Sequence, residues 1–93
     1  MEVPLEFLGR FHTAPISGIR ELDSSTQFIT IAEDHTMAIW EATNGKQLSL
    51  ITLNDRPVSL AVSASGRSAF LGTENGAFLI YDVTNRANPR LVK

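Results

Sequence analysis

Apolar positions along the chain recur at short, strand-like spacing. Val58, Leu60 and Val62 alternate with Ser59, Ala61 and Ser63, and Leu48 and Leu50 alternate with Gln47 and Ser49. A period of two predicts strands with one buried face. Two other runs, Phe28–Ala32 and Ala77–Tyr81, are apolar at nearly every position and predict strands covered on both sides. Turn signals fall between them. Asn44-Gly45 and Asn75-Gly76 each separate two apolar runs, the pattern of a type I′ hairpin. Ser65-Gly66 and the stretch Asp23–Thr26 are further turns. No segment holds a helical stripe for three turns. The pattern predicts an all-β chain of about eight to nine short strands.

The strands repeat. A single offset carries Trp40-Glu41 onto Tyr81-Asp82, Asp34 onto Asn75, Ile19 onto Leu60, Phe28 onto Ala69, and Ile39 onto Ile80. That offset falls within the period of roughly 40–45 residues, with four strands per unit, that marks a propeller blade. The reading is therefore two four-stranded antiparallel blades, residues 12–52 and 53–93, preceded by one outer strand within residues 1–11.

Composition narrows the chemistry. The 93 residues are 43% apolar, a globular proportion, and the net charge of −2 gives no electrostatic case for nucleic acid. The absence of cysteine removes disulfide frameworks and thiolate zinc sites. No apolar run reaches the length of a membrane span, and the N-terminal stretch lacks a signal peptide's basic start and apolar core. The expected location is cytoplasmic, with the nucleus or a cilium also open.

The stretch beginning Phe11-His12 and closing on Trp40-Glu41 resembles a WD-repeat blade, whose family pattern opens on Gly-His and closes on Trp-Asp. The second copy resembles a degenerate blade closing on Tyr81-Asp82. The resemblance implies a partial WD-repeat β-propeller. It also implies a hydrogen-bonded structural tetrad of His12, Thr30, Asp34 and Trp40. The chemistry is consistent: an indole N–H only donates, a threonine hydroxyl can accept it and donate onward, and an imidazole can bridge that hydroxyl to a carboxylate. Copy two departs from the pattern, with Leu53 and Leu71 at the His and Thr positions, and Asn75 and Tyr81 at the Asp and Trp positions.

Other chemistries fit less well. His12, Thr30 and Asp34 could compose a hydroxyl–His–acid triad, but Thr30 lies within a strand and no nucleophile turn or oxyanion motif accompanies it. His12 and His35 lack metal-ligand spacing. Residues 72–76 are not a phosphate loop, since no Lys-Ser/Thr follows and no helix begins. Arg86, Arg90 and Lys93 read as a solvated basic tail. No cofactor or metal is implied.

What remains is a non-catalytic protein–protein interaction scaffold, a segment or short form of a larger propeller serving a ciliary, axonemal or regulatory assembly. The alternative is the propeller part of an enzyme that carries a ligand or hydrolytic site. Recognition would fall on one rim, at Thr13, Pro15, Glu33, His35, Arg56 and Glu74, a mixed-charge set suited to a protein partner. Two blades cannot close a ring, so further blades or self-association are expected. Neither nucleic acid nor membrane is expected as a partner.

Overall fold

The computed structural model describes residues 15–22 and 26–93. The expected leading strand, His12, Thr13 and most of the Asp23–Thr26 turn lie outside the described residues. Every regular element described is a strand: β1 (Ile16–Glu21), β2 (Gln27–Ala32), β3 (Thr36–Glu41), β4 (Lys46–Thr52), β5 (Pro57–Val62), β6 (Ser68–Thr73), β7 (Phe78–Asp82) and β8 (Arg90–Leu91). They form two four-stranded sheets, β1-β2-β3-β4 and β5-β6-β7-β8, with every pair antiparallel.

Strands β5 and β6 begin and end at the positions that the repeat offset carries β1 and β2 onto. Even the irregularities repeat. The register shifts between Ile16 and Gly18 in the first sheet and between Pro57 and Ser59 in the second, so each innermost strand carries its bulge at the same place. In β5 that shift leaves Val58 47% exposed, whereas Leu60 is buried and Val62 is half-buried against the core.

The core lies between the sheets. Ile29, Ile31, Met37 and Ile39 of the first sheet meet Leu60, Ala69, Leu71 and Tyr81 of the second, with Leu53 and Val83 completing the cluster. The innermost strands make the main contact, β1 against β5. Gly18 keeps this contact close: a Cβ at that position would crowd Ile31 Cγ1 at 3.0 Å and touch Leu60 Cβ at 3.6 Å. The other face of the first sheet carries Phe28, Ala38 and Trp40, all fully buried, with the Phe28 and Trp40 rings stacked at 6.3 Å between centroids. The outer face of the second sheet, equivalent by the repeat to the first sheet's inter-sheet face, is less covered. There Phe70 and Phe78 stack at 6.3 Å, but Phe78 is 59% exposed.

Two local expectations differ from the structure. Asn44-Gly45 and Asn75-Gly76 do not form type I′ turns, which require positive φ at both central residues. Only the glycines take it, Gly45 at 70° and Gly76 at 86°. Asn44 instead accepts the Lys46 N–H through Oδ1 at 2.9 Å, so its side chain shapes a longer turn over positions 42–45. Leu48 and Leu50 also do not share a face. The register shift beside Ile39 and Trp40 makes Leu48 the extra residue and sends it to the inter-sheet core, while Leu50 stays 49% exposed.

Candidate functional site

In the first sheet, β2 and β3 pair Phe28 with Trp40 and Thr30 with Ala38, which puts Thr30 and Trp40 on one face. The Trp40 indole Nε1 donates to Thr30 Oγ1 at 2.9 Å, and both residues are fully buried. The β2–β3 turn then brings Asp34 back over Thr36, whose hydroxyl donates to Asp34 Oδ1. Thr36 is a participant that the sequence pattern did not single out, although Asp-x-Thr at a tight turn is a recognisable side-chain motif. Sealed within the sheet, the Thr30 hydroxyl is out of reach of a substrate, so it cannot act there as a nucleophile.

The second sheet replaces this polar chain with apolar contact. Leu71 stands at the Thr30 position, fully buried, and Leu53 and Tyr81 join it in the inter-sheet core. Burial pushes the Tyr81 phenol up from its ordinary value.

The acid that follows each third-strand aromatic has a common role. Glu41 Oε2 accepts the Thr43 hydroxyl at 3.0 Å, and Asp82 Oδ1 accepts the Thr84 N–H at 2.9 Å. Desolvation by burial pushes Glu41 upward, but hydrogen bonds from Thr26, Thr43 and Gln27 together outweigh it and hold the carboxyl below its ordinary value. The Thr84 backbone and hydroxyl hold Asp82 low, with Arg90 adding a smaller push. Each acid therefore secures the turn leaving its strand.

The rim is built from the loops that enter each sheet and from the β2–β3 and β6–β7 turns. Glu33 N–H donates to the Pro15 carbonyl at 3.0 Å, and at the equivalent place in the second copy Glu74 N–H donates to the Arg56 carbonyl at 2.9 Å. Arg56 then joins the two copies, its guanidinium reaching Glu33 Oε1 at 3.3 Å and Glu74 Oε1 at 3.2 Å. These groups are 37–59% exposed, so each pair is worth only about 0–1 kcal/mol. Beside them Asn75 Nδ2 donates to Asp55 Oδ1. His35 takes a left-handed φ of 69° in its turn, and its carbonyl accepts the Leu53 N–H at 2.7 Å. Of the expected rim residues, the structure brings Pro15, Glu33, Arg56 and Glu74 together and puts His35 on the adjoining turn. Thr13 lies outside the described residues.

Arg86 is not a solvated tail residue. Its Nε donates to Gln27 Oε1 at 3.0 Å, and NH1 donates to the Gly66 and Val83 carbonyls at 2.6 and 2.7 Å, so it ties the second sheet to the first. Nothing in the residue pattern signals this, because two of its three acceptors are backbone carbonyls. Arg90, by contrast, is exposed and pairs with Asp82 at 3.5 Å. Among the described residues no group of three or more His, Cys, Asp or Glu side chains could hold a metal ion.

Two consecutive four-stranded antiparallel sheets, repeating at a blade-length interval and packed face to face through their innermost strands, define a pair of β-propeller blades. Solved structures agree on that fold. The chain is similar to a structure of U3-55K (TM-score 0.80, 16% identity, 88% of this chain and 26% of that one). It is also similar to the RRP9 WD40 repeats (TM-score 0.79, 16% identity, 88% and 26%). The C-terminal WD40 domain of Sif2 superposes with a TM-score of 0.74 at 15% identity, covering 86% and 24%. The chain thus has the fold of WD-repeat propeller blades and spans about a quarter of the length of these structures. No family model matches the sequence.

Proposed function

We propose that the chain is a non-catalytic protein-interaction scaffold that works as part of a larger propeller. The observation that carries this is the rim. Arg56 reaches Glu33 on the first blade and Glu74 on the second, so a solvent-facing, mixed-charge surface runs continuously across the two blades. A polar, mixed-charge rim of this kind suits a protein partner more than an apolar small molecule. The buried Thr30 hydroxyl offers no competing catalytic surface. In this reading the tetrad of His12, Thr30, Asp34 and Trp40 serves structure, a role that the Trp40–Thr30 bond supports.

The face of the second blade that carries Phe70, Phe78 and Ile80 is read as the seat of a further blade. The first blade already covers the opposite face of that sheet through the inter-sheet core. The similar structures are about four times longer, which leaves room for more blades of the same kind. The 93-residue chain alone is expected to self-associate through this face at micromolar concentration. Sedimentation velocity with Phe78→Lys as the control checks this. A monomer that is indifferent to that substitution would remove the reading.

The scaffold reading is tested with a photo-crosslinking residue at position 74 or 33, expressed in cells. The expected result is a discrete protein adduct at both positions, lost on Arg56→Glu while the far-ultraviolet dichroism is unchanged. Absence of an adduct at either position would overturn the proposal.

A further inference from the structure

Beside the rim, between the end of β4 and strands β7 and β8, lies a cavity of about 280 Å³. Leu53, Leu79, Tyr81 and Leu91 form its apolar wall, and Thr73 and Asp55 its polar side. Its position has a cause in the repeat. Tyr81 stands where the first blade has the larger Trp40, and Ala77, also on the cavity wall, stands where the first blade has Thr36. Trp40 and Thr36 are both buried, and the second blade carries smaller side chains at the two equivalent positions. The smaller side chains at positions 77 and 81 leave room for this space.

We infer that this cavity is a binding site for one lysine or arginine side chain of a protein partner. Three properties select that chemistry. The volume lies just below the range for small-molecule pockets and suits a single long side chain. The apolar wall suits an aliphatic stem, which Lys and Arg bury while keeping the charged end near water. The charged group on the lining is a carboxylate, Asp55, half-buried and held by Asn75. The rim beyond it carries Glu33, Asp34 and Glu74 with Arg56 as the interspersed cation, so the local field favours a basic partner and disfavours an acidic one. The inference rests on the scaffold reading and gives that scaffold a partner chemistry: a basic, surface-exposed peptide segment.

The test is methyl and amide NMR of the 93-residue chain carrying Phe78→Lys, which removes the expected self-association face, titrated with terminally blocked Ala-Lys-Ala, Ala-Arg-Ala, Ala-norleucine-Ala and Ala-Glu-Ala. The lysine and arginine probes should give saturable shifts concentrated at Leu53, Leu79, Tyr81 and Leu91. Asp55→Asn should weaken them about tenfold or more, the loss expected for one charge-assisted contact. Ala77→Leu, which fills the cavity without altering charge, should abolish them with the spectrum still dispersed. Equal binding of the norleucine or glutamate probe would overturn the inference. So would shifts centred elsewhere, or full affinity in the Asp55→Asn chain, a surface substitution that leaves the core intact. The two readings fail separately. Rim crosslinking that persists while no probe binds removes the cavity site alone, and probe binding without any rim adduct removes the scaffold reading.

Discussion

The buried Trp40–Thr30 link makes a quantitative claim about the first blade. Thr30→Val keeps the side-chain shape but removes the acceptor from an indole N–H that has no access to solvent. Leaving such a donor unsatisfied costs about 1–3 kcal/mol. In a chain of this size that corresponds to a fall in melting temperature of roughly 5–20 °C. Trp40→Phe removes the donor itself and leaves a cavity, at about 2 kcal/mol by the usual cavity scaling. The decisive quantity is the double-mutant cycle. Once the indole is gone, Thr30→Val no longer orphans it, so the second substitution should cost at least about 1 kcal/mol less than it does alone. Urea denaturation followed by far-ultraviolet dichroism, at a concentration low enough for the midpoint to be independent of it, measures all four corners. Equal costs for Thr30→Val with and without Trp40 would show that the link contributes nothing beyond packing.

Other perturbations follow from particular contacts. Arg86→Ala removes three hydrogen bonds, one of them joining the blades, and should cost about 2 kcal/mol, readable by the same denaturation; a loss under about 0.5 kcal/mol would mean the tie is ornamental. Gly76→Ala forces a Cβ into φ 86° and should destabilise by about 1 kcal/mol, whereas His35→Gly relieves the same conformation at φ 69° and should be neutral to slightly stabilising; the opposite signs in thermal melts would refute the strain argument. Glu41 and Asp82 are held below their ordinary values, so the stability they add is present above the unfolded-state carboxylate values and is lost as pH falls through their folded ones; carboxyl NMR titration should place both midpoints low, and unshifted midpoints would sink the turn-securing role.

Much of the architecture is legible in the residues, because strand periodicity and repeat length are both one-dimensional signals. The alternation at Leu60 and Val62 and the apolar runs at Phe28–Ala32 and Ala77–Tyr81 fall on strands or their immediate edges, and the repeat offset fixes which sheet each belongs to. The details that escape depend on backbone geometry. One extra residue opposite Ile39 and Trp40 is enough to turn Leu48 inward, and no hydrophobic pattern records a bulge. The Asn-Gly pairs mark turns correctly but not their type, because the asparagine side chain at position 44 supplies a hydrogen bond that a longer turn can use. Of the site, Glu33, Arg56 and Glu74 can be assigned to one rim from the repeat, but not the fact that Arg56 lies between the two acids. That depends on the angle at which the blades pack. Arg86 reads as solvated in the residue pattern because the carbonyls it binds are sequence-blind.

The two copies solve one structural problem in different ways, and the difference explains where a binding site can arise. A third-strand aromatic must be held against its neighbours in each blade. The first blade does this directionally, through the indole–hydroxyl link beside the Thr36–Asp34 bond. The second uses Tyr81 against Leu71 and Leu53, contacts that stabilise by burial but do not fix register. Register has to come from elsewhere in that sheet. Ser59 Oγ accepts the Gly72 N–H at 3.1 Å across β5 and β6, and Thr73 Oγ1 accepts the Ala77 N–H at 3.1 Å in the turn. A Cβ at Gly72 would fall 2.5 Å from that same serine oxygen, so glycine there is a condition of the bond. With register secured at the strand's side and turn, the region around Tyr81 is released from the geometric demands of the polar chain. It can then hold a cavity with a carboxylate on its lining.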